Sequence, residues 1–255
     1  MVRFCNYPYK SKYGETTVGI KEVKNYLNEF GYFIEEPEWD DTFDEKLAAA
    51  LQKFKDYHKI SYQGGLVDME IDKLTLSFIK KPRCGISDFL VMVQLPKWPK
   101  NNLNYCFVNY TSDLPQDDVR FVLIDSLLQW SRYTNLIFTE VIEESNSDLK
   151  ISFHIGDHND RNNFDGPGNK LGHGFFPPDG RIHFDEDEIW TYNEIESIDL
   201  YTVALHEYGH SLGLTHSDNK SAVMYPYYEG IRRLLDPEDV FRIQQLYNFA
   251  SPLKN

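Results

Sequence analysis

The chain has 255 residues, enough for one large domain or for a small domain and a medium one. Its formal charge of −14, from 40 acidic and 26 basic side chains, argues against a nucleic-acid partner, because phosphate binding needs clustered cations. No apolar stretch is long enough to span a membrane, and no signal peptide is visible at the N-terminus.

The first part of the chain is predicted to be helical. Residues 1–16 are polar and aperiodic, which indicates a loose leader. Apolar residues then recur at spacings of three and four over residues 18–30, 43–57 and 69–79, which predicts three short amphipathic helices. We therefore expect a small helical bundle over residues 17–81.

The second part of the chain mixes strands and helices. β-Branched and aromatic residues are concentrated in three segments that are predicted to be strands, 104–110, 137–142 and 148–155. Helical spacing recurs in three further segments, 117–133, 200–212 and the one that begins at Asp236-Pro237. The order of these elements predicts an α/β domain.

One histidine-rich segment carries the most information: His206-Glu-Tyr-Gly-His210-Ser-Leu-Gly213-Leu-Thr-His216. Residues four apart lie on one face of a helix, so His206 and His210 can bind one metal ion while Glu207 leans toward its open side. Gly213 permits the chain reversal that brings His216 to the same ion. Three histidine ligands leave one tetrahedral position open, which is typical of a catalytic zinc.

This segment resembles the metzincin clan of metalloproteases. Val223-Met224-Tyr225-Pro226 resembles that clan's Met-turn, in which Met224 lies beneath the three histidines. Within the clan, the residue after the third histidine distinguishes the families. Here it is Ser217, and in this respect the chain resembles the matrixins, the matrix metalloproteinases, rather than the astacin-like proteases. The resemblance covers residues from 17 to about 248 and implies a zincin-like fold. That fold is a twisted, mixed five-stranded sheet with three helices, preceded by an all-α propeptide bundle.

The resemblance also implies a division of the chain into parts. These are a leader over 1–16, a propeptide over 17–81 that resembles peptidoglycan-binding domains, a switch loop over 82–88, a catalytic domain over 89–250 and a tail over 251–255. We expect a short form without a haemopexin-like domain, which in this respect resembles the plant matrixins.

The sequence Pro82-Arg83-Cys84-Gly85-Ile86-Ser87-Asp88 resembles the matrixin cysteine switch. A thiolate is a strong zinc ligand, so Cys84 in the fourth coordination position would exclude water and keep the enzyme latent. Cutting the chain between Asp88 and Leu95 would release the tethered thiol, which makes an activating protease an expected partner. The other cysteines, Cys5 and Cys106, are assigned no role, and whether they pair is left open.

Further family matches imply a second zinc and at least one calcium ion. The structural zinc would take three imidazoles and a carboxylate, from His158, Asp160, His173 and His183. Calcium would take the carboxylates of Asp165, Asp185 and Glu188 and the backbone of Gly166, Gly168 and Lys170. The segment between His173 and His183 is shorter than in typical vertebrate members, which leaves a second calcium site open.

The implied activity is hydrolysis of peptide bonds in extracellular proteins by zinc-activated water, with Glu207 as the general base. By resemblance, substrate lies extended near Leu171. The side chain after the scissile bond, P1′, would enter a pocket lined by Thr202, Pro226 and Tyr228, and the small Thr202 predicts room for a large apolar group. A monomer located outside the cell is expected. The alternative from another class is a non-catalytic, metal-stapled binding module, which an intact Glu207 disfavours.

Overall fold

The computed structural model describes residues 8–89 and 94–247. Cys5, residues 90–93 of the expected cleavage region and the predicted tail over 251–255 lie outside the described residues.

The chain divides into two compact units. The first comprises Met1–Lys81 and Ile86–Val91, and the second comprises Pro82–Gly85 and Met92–Asn255. No helix in the described parts of either unit is both long and apolar enough to cross a membrane.

The first unit contains the three predicted helices, which are α1 Ile20–Glu29, α2 Glu45–Tyr57 and α3 Lys73–Ile79. Their apolar faces meet in a core of fully buried side chains that includes Phe30, Leu51 and Phe54. Helix α3 begins later than its apolar spacing predicts, because the Asp72 carboxylate accepts a hydrogen bond from the Thr75 amide and caps the helix there.

In its described residues the second unit is built from eight strands and three α-helices. In chain order these are β1 Arg83–Cys84, β2 Asn102–Phe107, α4 Gln116–Ser131, β3 Ile137–Glu140, β4 Leu149–His154, β5 Lys170–Gly174, β6 Arg181–Asp185, β7 Trp190–Thr191, β8 Ile198–Asp199, α5 Leu200–Ser211 and α6 Pro237–Tyr247. The predicted strands over 104–110, 137–142 and 148–155 correspond to β2, β3 and β4.

Six of these strands form one mixed sheet in the order β1-β5-β6-β4-β2-β3. All neighbouring pairs run parallel except β5 and β6, which are antiparallel with His173 opposite His183. The predicted α/β fold with a mixed sheet and three helices is confirmed, and the two-residue strand β1 adds a sixth strand at the edge, beside β5. Strands β7 and β8 form a separate parallel pair.

Helices α4 and α5 pack together beneath this sheet in the main hydrophobic core. Trp130 of α4 is fully buried, and its indole nitrogen donates a hydrogen bond to the Leu205 carbonyl of α5 at 3.1 Å. Every residue of α5 is buried. The histidine-rich helix is therefore enclosed by the rest of the second unit, which limits the movement of its polar groups.

Candidate metal centres and active site

Helix α5 presents His206 and His210 on one face and ends where the sequence predicts. Gly213 has φ of +109°, a conformation that favours glycine, and the Leu214 amide donates back to the Gly209 carbonyl at 2.9 Å. A Cβ added at Gly213 would lie 2.0 Å from the Pro96 carbonyl oxygen, so a side chain has no space there. This reversal carries the chain back toward the metal-binding face.

The outer nitrogens of two histidines are held by backbone carbonyls. Nδ1 of His206 donates to the Val223 carbonyl and Nδ1 of His210 donates to the Leu214 carbonyl, each at 2.7 Å. Burial lowers the pKa of His206 to about 3 and holds the pKa of His210 well below its usual range, so both rings are neutral. Their Nε2 atoms, 3.1 Å apart, then face each other with lone pairs, an arrangement that a shared cation stabilises.

Cys84 completes this group. The ligand atoms of Cys84, His206, His210 and His216 all lie within 4.8 Å of one another. The Cys84 sulfur is 3.4 Å from His210 Nε2, and the thiol donates to Glu207 Oε2, also at 3.4 Å. Three imidazoles and a thiol form a donor set that fits zinc.

Glu207 lies beside this group and is 1% exposed. Burial raises the pKa of Glu207 to about 8, and the hydrogen bond from the Cys84 thiol opposes the rise. Its Oε1 atom has no hydrogen-bond partner among the residues that the structure describes. A buried carboxylate oxygen of this kind is available to a water or a substrate group at the site.

The switch segment is held by its backbone as well as by the thiol. In strand β1 the Arg83 amide donates to the Asn169 carbonyl at 2.5 Å. The Cys84 amide donates to the Pro226 carbonyl at 2.9 Å, and the Gly85 amide donates to the Gly172 carbonyl at 2.8 Å. Residues 82–85 therefore lie between the edge of β5 and the segment after the Met-turn. The Arg83 side chain is fully buried against the Tyr227 ring.

Met224 of the predicted Met-turn packs against Gly209 of α5, between His206 and His210 in sequence. A Cβ added at Gly209 would lie 2.2 Å from the Met224 sulfur, so glycine lets this side chain approach α5 closely. The turn is held by Asp239 of α6, a residue that no motif in the sequence singles out. Its fully buried carboxylate accepts hydrogen bonds from the Val223 and Met224 amides at 2.6 and 3.2 Å.

A second group brings together His158, Asp160, His173 and His183. Asp160 Oδ2 lies 2.7 to 2.8 Å from a nitrogen of each of the three rings. Burial lowers the pKa of His173 to about 4 and that of His183 to about 3, so both rings are neutral. Burial alone would raise the pKa of Asp160. Its hydrogen bonds, of which the one from His173 has the largest effect, instead hold the pKa well below its usual range. Neutral imidazoles converging on an ionised carboxylate fit a structural zinc.

The residues predicted to bind calcium lie in one loop and near the end of β6. They are farther from one another than the members of the two groups described above. They do not form a third such group among the described residues. The Asp165 carboxylate accepts a hydrogen bond from the Lys170 amide at 3.3 Å, and Glu188 accepts one from the Gly168 amide at 2.5 Å. Burial, with repulsion from neighbouring carboxylates, raises the pKa of Asp185 to about 6 and that of Glu188 to about 7. Buried carboxylates that repel one another fit a cation with oxygen ligands.

The four residues predicted for the substrate pocket line one cavity. This cavity borders His206 and Glu207, and its lining includes Leu171, Thr202, Pro226 and Tyr228. A space of about 30 Å³ remains in this cavity, and Arg83 and Cys84 form part of its wall. Room for a large apolar group beside the small Thr202 therefore stays a prediction for the form without residues 82–85 in the cleft.

Comparison with known proteins agrees with this geometry. The family model described as Peptidase_M10, matrixin, matches residues 97–248. The chain belongs to the matrixin family. This matrixin is 37% identical over 257 residues to matrilysin of Rattus norvegicus, covering 96% of the chain and 92% of that protein. The prediction from Ser217 that the chain is a matrixin rather than an astacin-like protease is confirmed.

Two longer relatives are similar over nearly the whole chain. Stromelysin-1 of Rattus norvegicus is 37% identical over 243 residues, which cover 91% of this matrixin and 50% of the relative. Neutrophil collagenase of Homo sapiens is 36% identical over 254 residues, which cover 96% and 52%. The chain thus spans about half the length of these two relatives. Matrixins are zinc-binding metalloendopeptidases, so the predicted enzyme class and the predicted use of zinc are confirmed at the level of the family.

Proposed function

We propose that this matrixin is the latent form of an extracellular zinc endopeptidase. The observation that carries the proposal is the convergence of Cys84 with His206, His210 and His216, next to the buried carboxylate of Glu207. A protein that only bound metal would not need a carboxylate such as Glu207 beside the position that Cys84 fills. The alternative of a metal-stapled binding module has no comparable observation in its favour.

The catalytic roles follow from the positions of these side chains. His206, His210 and His216 would hold the catalytic zinc, which when bound supplies Lewis-acid activation of a water and of the scissile carbonyl. Glu207 accepts the proton of the attacking water through its carboxylate and later returns it to the leaving amine. Burial raises the pKa of Glu207 in this form, and a zinc ion bound beside it would oppose that rise and favour the ionised carboxylate that a general base needs.

Latency is assigned to Cys84 and the propeptide. The thiol would occupy the ligand position that the water needs, and the backbone of residues 82–85 fills the cleft beside β5. Residues 17–81 act as the propeptide that delivers this segment. A protease that cuts between Asp88 and Leu95 would break the covalent link between Cys84 and the metal-binding domain. The effective concentration of the Cys84 thiol at the zinc would then fall from about millimolar to nearly nothing.

The released cleft would bind an extended peptide along β5. Its P1′ side chain would enter the cavity lined by Leu171, Thr202, Pro226 and Tyr228. The second zinc, on the group around Asp160, and at least one calcium, on the loop around Asp165, would stabilise the fold without reacting. The enzyme is proposed to act as a monomer on proteins outside the cell, where its relatives are found.

Peptide hydrolysis tests the proposal directly. A fluorogenic peptide is incubated with the full chain before and after limited proteolysis, with and without a chelator. We expect hydrolysis only after proteolysis and only without the chelator, and we expect Glu207→Gln to abolish it. A processed, zinc-loaded chain that cuts no peptide would support the binding module instead.

A further inference from the structure

A fourth histidine lies beside the second group of ligands. His154 is the last residue of β4, and no motif in the sequence assigns it a role. In the parallel pairing of β4 with β6, Ser152 lies opposite His183 and His154 lies opposite Asp185. Side chains two residues apart on a strand point to the same face of a sheet. Ser152 and His154 therefore lie beside the ligand His183 on the face that bears the second group.

The ring of His154 is held by a buried hydroxyl. A hydrogen bond of 2.8 Å joins His154 Nε2 to Ser152 Oγ, and Ser152 is 3% exposed. The His154 ring also packs edge-on against His183, with 4.7 Å between the ring centroids. The four converging ligand atoms of the group come from other residues. His154 is therefore a neighbour of the second group, with its Nε2 atom engaged by Ser152.

The same ring supports His158, one of the four ligands. The imidazoles of His154 and His158 are stacked, with 8° between their planes and 4.9 Å between their centroids. Nδ1 of His158 donates to the Gly156 carbonyl at 2.8 Å, which leaves Nε2 directed at Asp160 Oδ2, 2.7 Å away. The phenyl ring of Phe164 is stacked on His158 as well, at 4.7 Å. Two stacked rings and one hydrogen bond thus orient the plane of this imidazole.

His158 needs such support more than the other two imidazoles do. His173 and His183 lie on strands β5 and β6, whereas His158 belongs to the loop between β4 and β5. Ligands on strands are held more precisely than ligands on loops. The carbonyl acceptor and the phenyl neighbour of His158 belong to the same loop, and its ring contacts with His173 and His183 are contacts between ligands. The stack on His154 instead connects this loop ligand to a strand residue outside the group.

We propose that His154 is a positioning residue for the second group. It holds the His158 imidazole in the plane in which Nε2 can bind zinc, and it thereby slows release of the ion. The inference rests on the second zinc of the proposed function and goes further by assigning a role to a residue outside the ligand set. Changing a group that orients a metal ligand typically weakens metal binding by about 10-fold to 100-fold.

Zinc release is measured on the unprocessed full chain with a chelator that changes colour when it binds zinc. Two phases are expected, and the phase that is missing from His183→Ala belongs to the second group. His154→Ala should accelerate this phase by about 10-fold, the lower end of the range, because the contacts of His158 with Gly156 and Phe164 remain. His154→Phe keeps a flat ring for stacking and should accelerate the phase by less than about 3-fold.

His58→Ala is the matched control. His58 is also stacked on an aromatic ring, that of Phe78 at 5.1 Å, but it belongs to the first unit. Its replacement should leave the rate of zinc release from the second group unchanged.

Cobalt spectra distinguish a positioning role from a general loss of structure. A cobalt ion bound with Cys84 has a sulfur ligand and a sulfur-to-metal absorption band, whereas the second group offers only nitrogen and oxygen atoms. His154→Ala should shift the visible bands of cobalt in the second group and leave the sulfur-to-metal band unchanged.

The outcomes separate this role from the proposed function. An unchanged release rate in His154→Ala, or release from His154→Phe as fast as from His154→Ala, would overturn the role of His154. Acceleration of both phases with changes in both sets of bands would overturn it in favour of a structural role. A parental chain that holds no zinc at the second group would also overturn it, while peptide hydrolysis would still decide the catalytic assignment. Two bound zinc ions without peptide hydrolysis would contradict the proposed function alone.

Discussion

Replacing Cys84 with serine separates two contributions to latency, the thiol and the backbone of residues 82–85. The substitution removes a soft zinc ligand. It leaves the amides of Arg83, Cys84 and Gly85 donating to the walls of the cleft, and the Tyr228 amide donating to the Pro82 carbonyl at 2.9 Å. Four backbone hydrogen bonds therefore continue to hold the segment in the cleft of the variant.

The size of this remaining contribution can be worked out. A hydrogen bond contributes a net of about 1 kcal/mol, so four contribute about 4 kcal/mol, and each 1.4 kcal/mol is a factor of ten in an equilibrium constant. The cleft of the variant would then be open in about one molecule in a thousand. We expect the unprocessed Cys84→Ser chain to hydrolyse peptide at about 10⁻³ of the processed rate, and well above the unprocessed parent.

The assay is kcat/KM on a fluorogenic peptide for the parental and variant chains, each before and after limited proteolysis. Cys106→Ser is the matched control. Cys106 is also a buried free thiol, but its sulfur donates a hydrogen bond to the Ser147 hydroxyl and does not belong to the group around His206. A Cys84→Ser chain as inert as its parent would refute the thiol latch. One that reaches the processed rate would refute the backbone contribution.

Four further predictions concern single side chains. Glu207→Gln should lower kcat by at least about 100-fold while elemental analysis finds the parental zinc content; loss of zinc together with activity would contradict the role of general base. His183→Ala should reduce the zinc bound per chain from two ions to one, and two retained ions would show that the second group is not a zinc site. Asp239→Ala leaves the Met-turn amides buried without acceptors, at about 1–3 kcal/mol each, so calorimetry should find Tm lower by several degrees; an unchanged Tm would contradict its positioning role. Burial alone would raise the pKa of Asp72, but the hydrogen bonds from Lys55 and from the Thr75 amide lower it below the unfolded value of about 4. Ionised Asp72 therefore stabilises the first unit fully above about pH 4, and this stabilisation is lost as the pH falls through the lower pKa of the folded state. Hydrogen exchange in α2 and α3 should therefore show Asp72→Asn less protected at pH 7 by about 2 kcal/mol, with a difference that shrinks below pH 4; a constant difference would refute the linkage.

Local spacing predicted the parts of the site that are close in sequence. His206 and His210 are four residues apart on one helix, and Gly213 marks its end, so elementary helix geometry suffices to bring them to one point. The convergence of His216 depends on the same reversal. Cys84 came from the family pattern rather than from geometry, because no local rule relates a residue at position 84 to one at 206.

Contacts between distant segments were not predictable in the same way. Asp239 holds the Met-turn from 15 to 16 residues away, and Arg232 lies against Thr202 across 30 residues. Both contacts depend on how the loop before α6 folds back, which propensity and periodicity do not specify. The depth of the pocket beside Thr202 depends on contacts of this kind as well, because a pocket is bounded by whatever the chain brings to it from elsewhere.

The pairing of β1 with β5 has a consequence for storage of the enzyme. Strand β1 is the outermost member of the six-stranded sheet, so while it is in place the hydrogen-bonding edge of β5 is covered. Uncovered edges pair readily with other extended chains, including copies of the same protein. If residues 82–85 inhibit the enzyme as proposed, they would also protect the edge of β5 from self-association, and their removal would expose an edge that can pair with a peptide or with another copy of the chain.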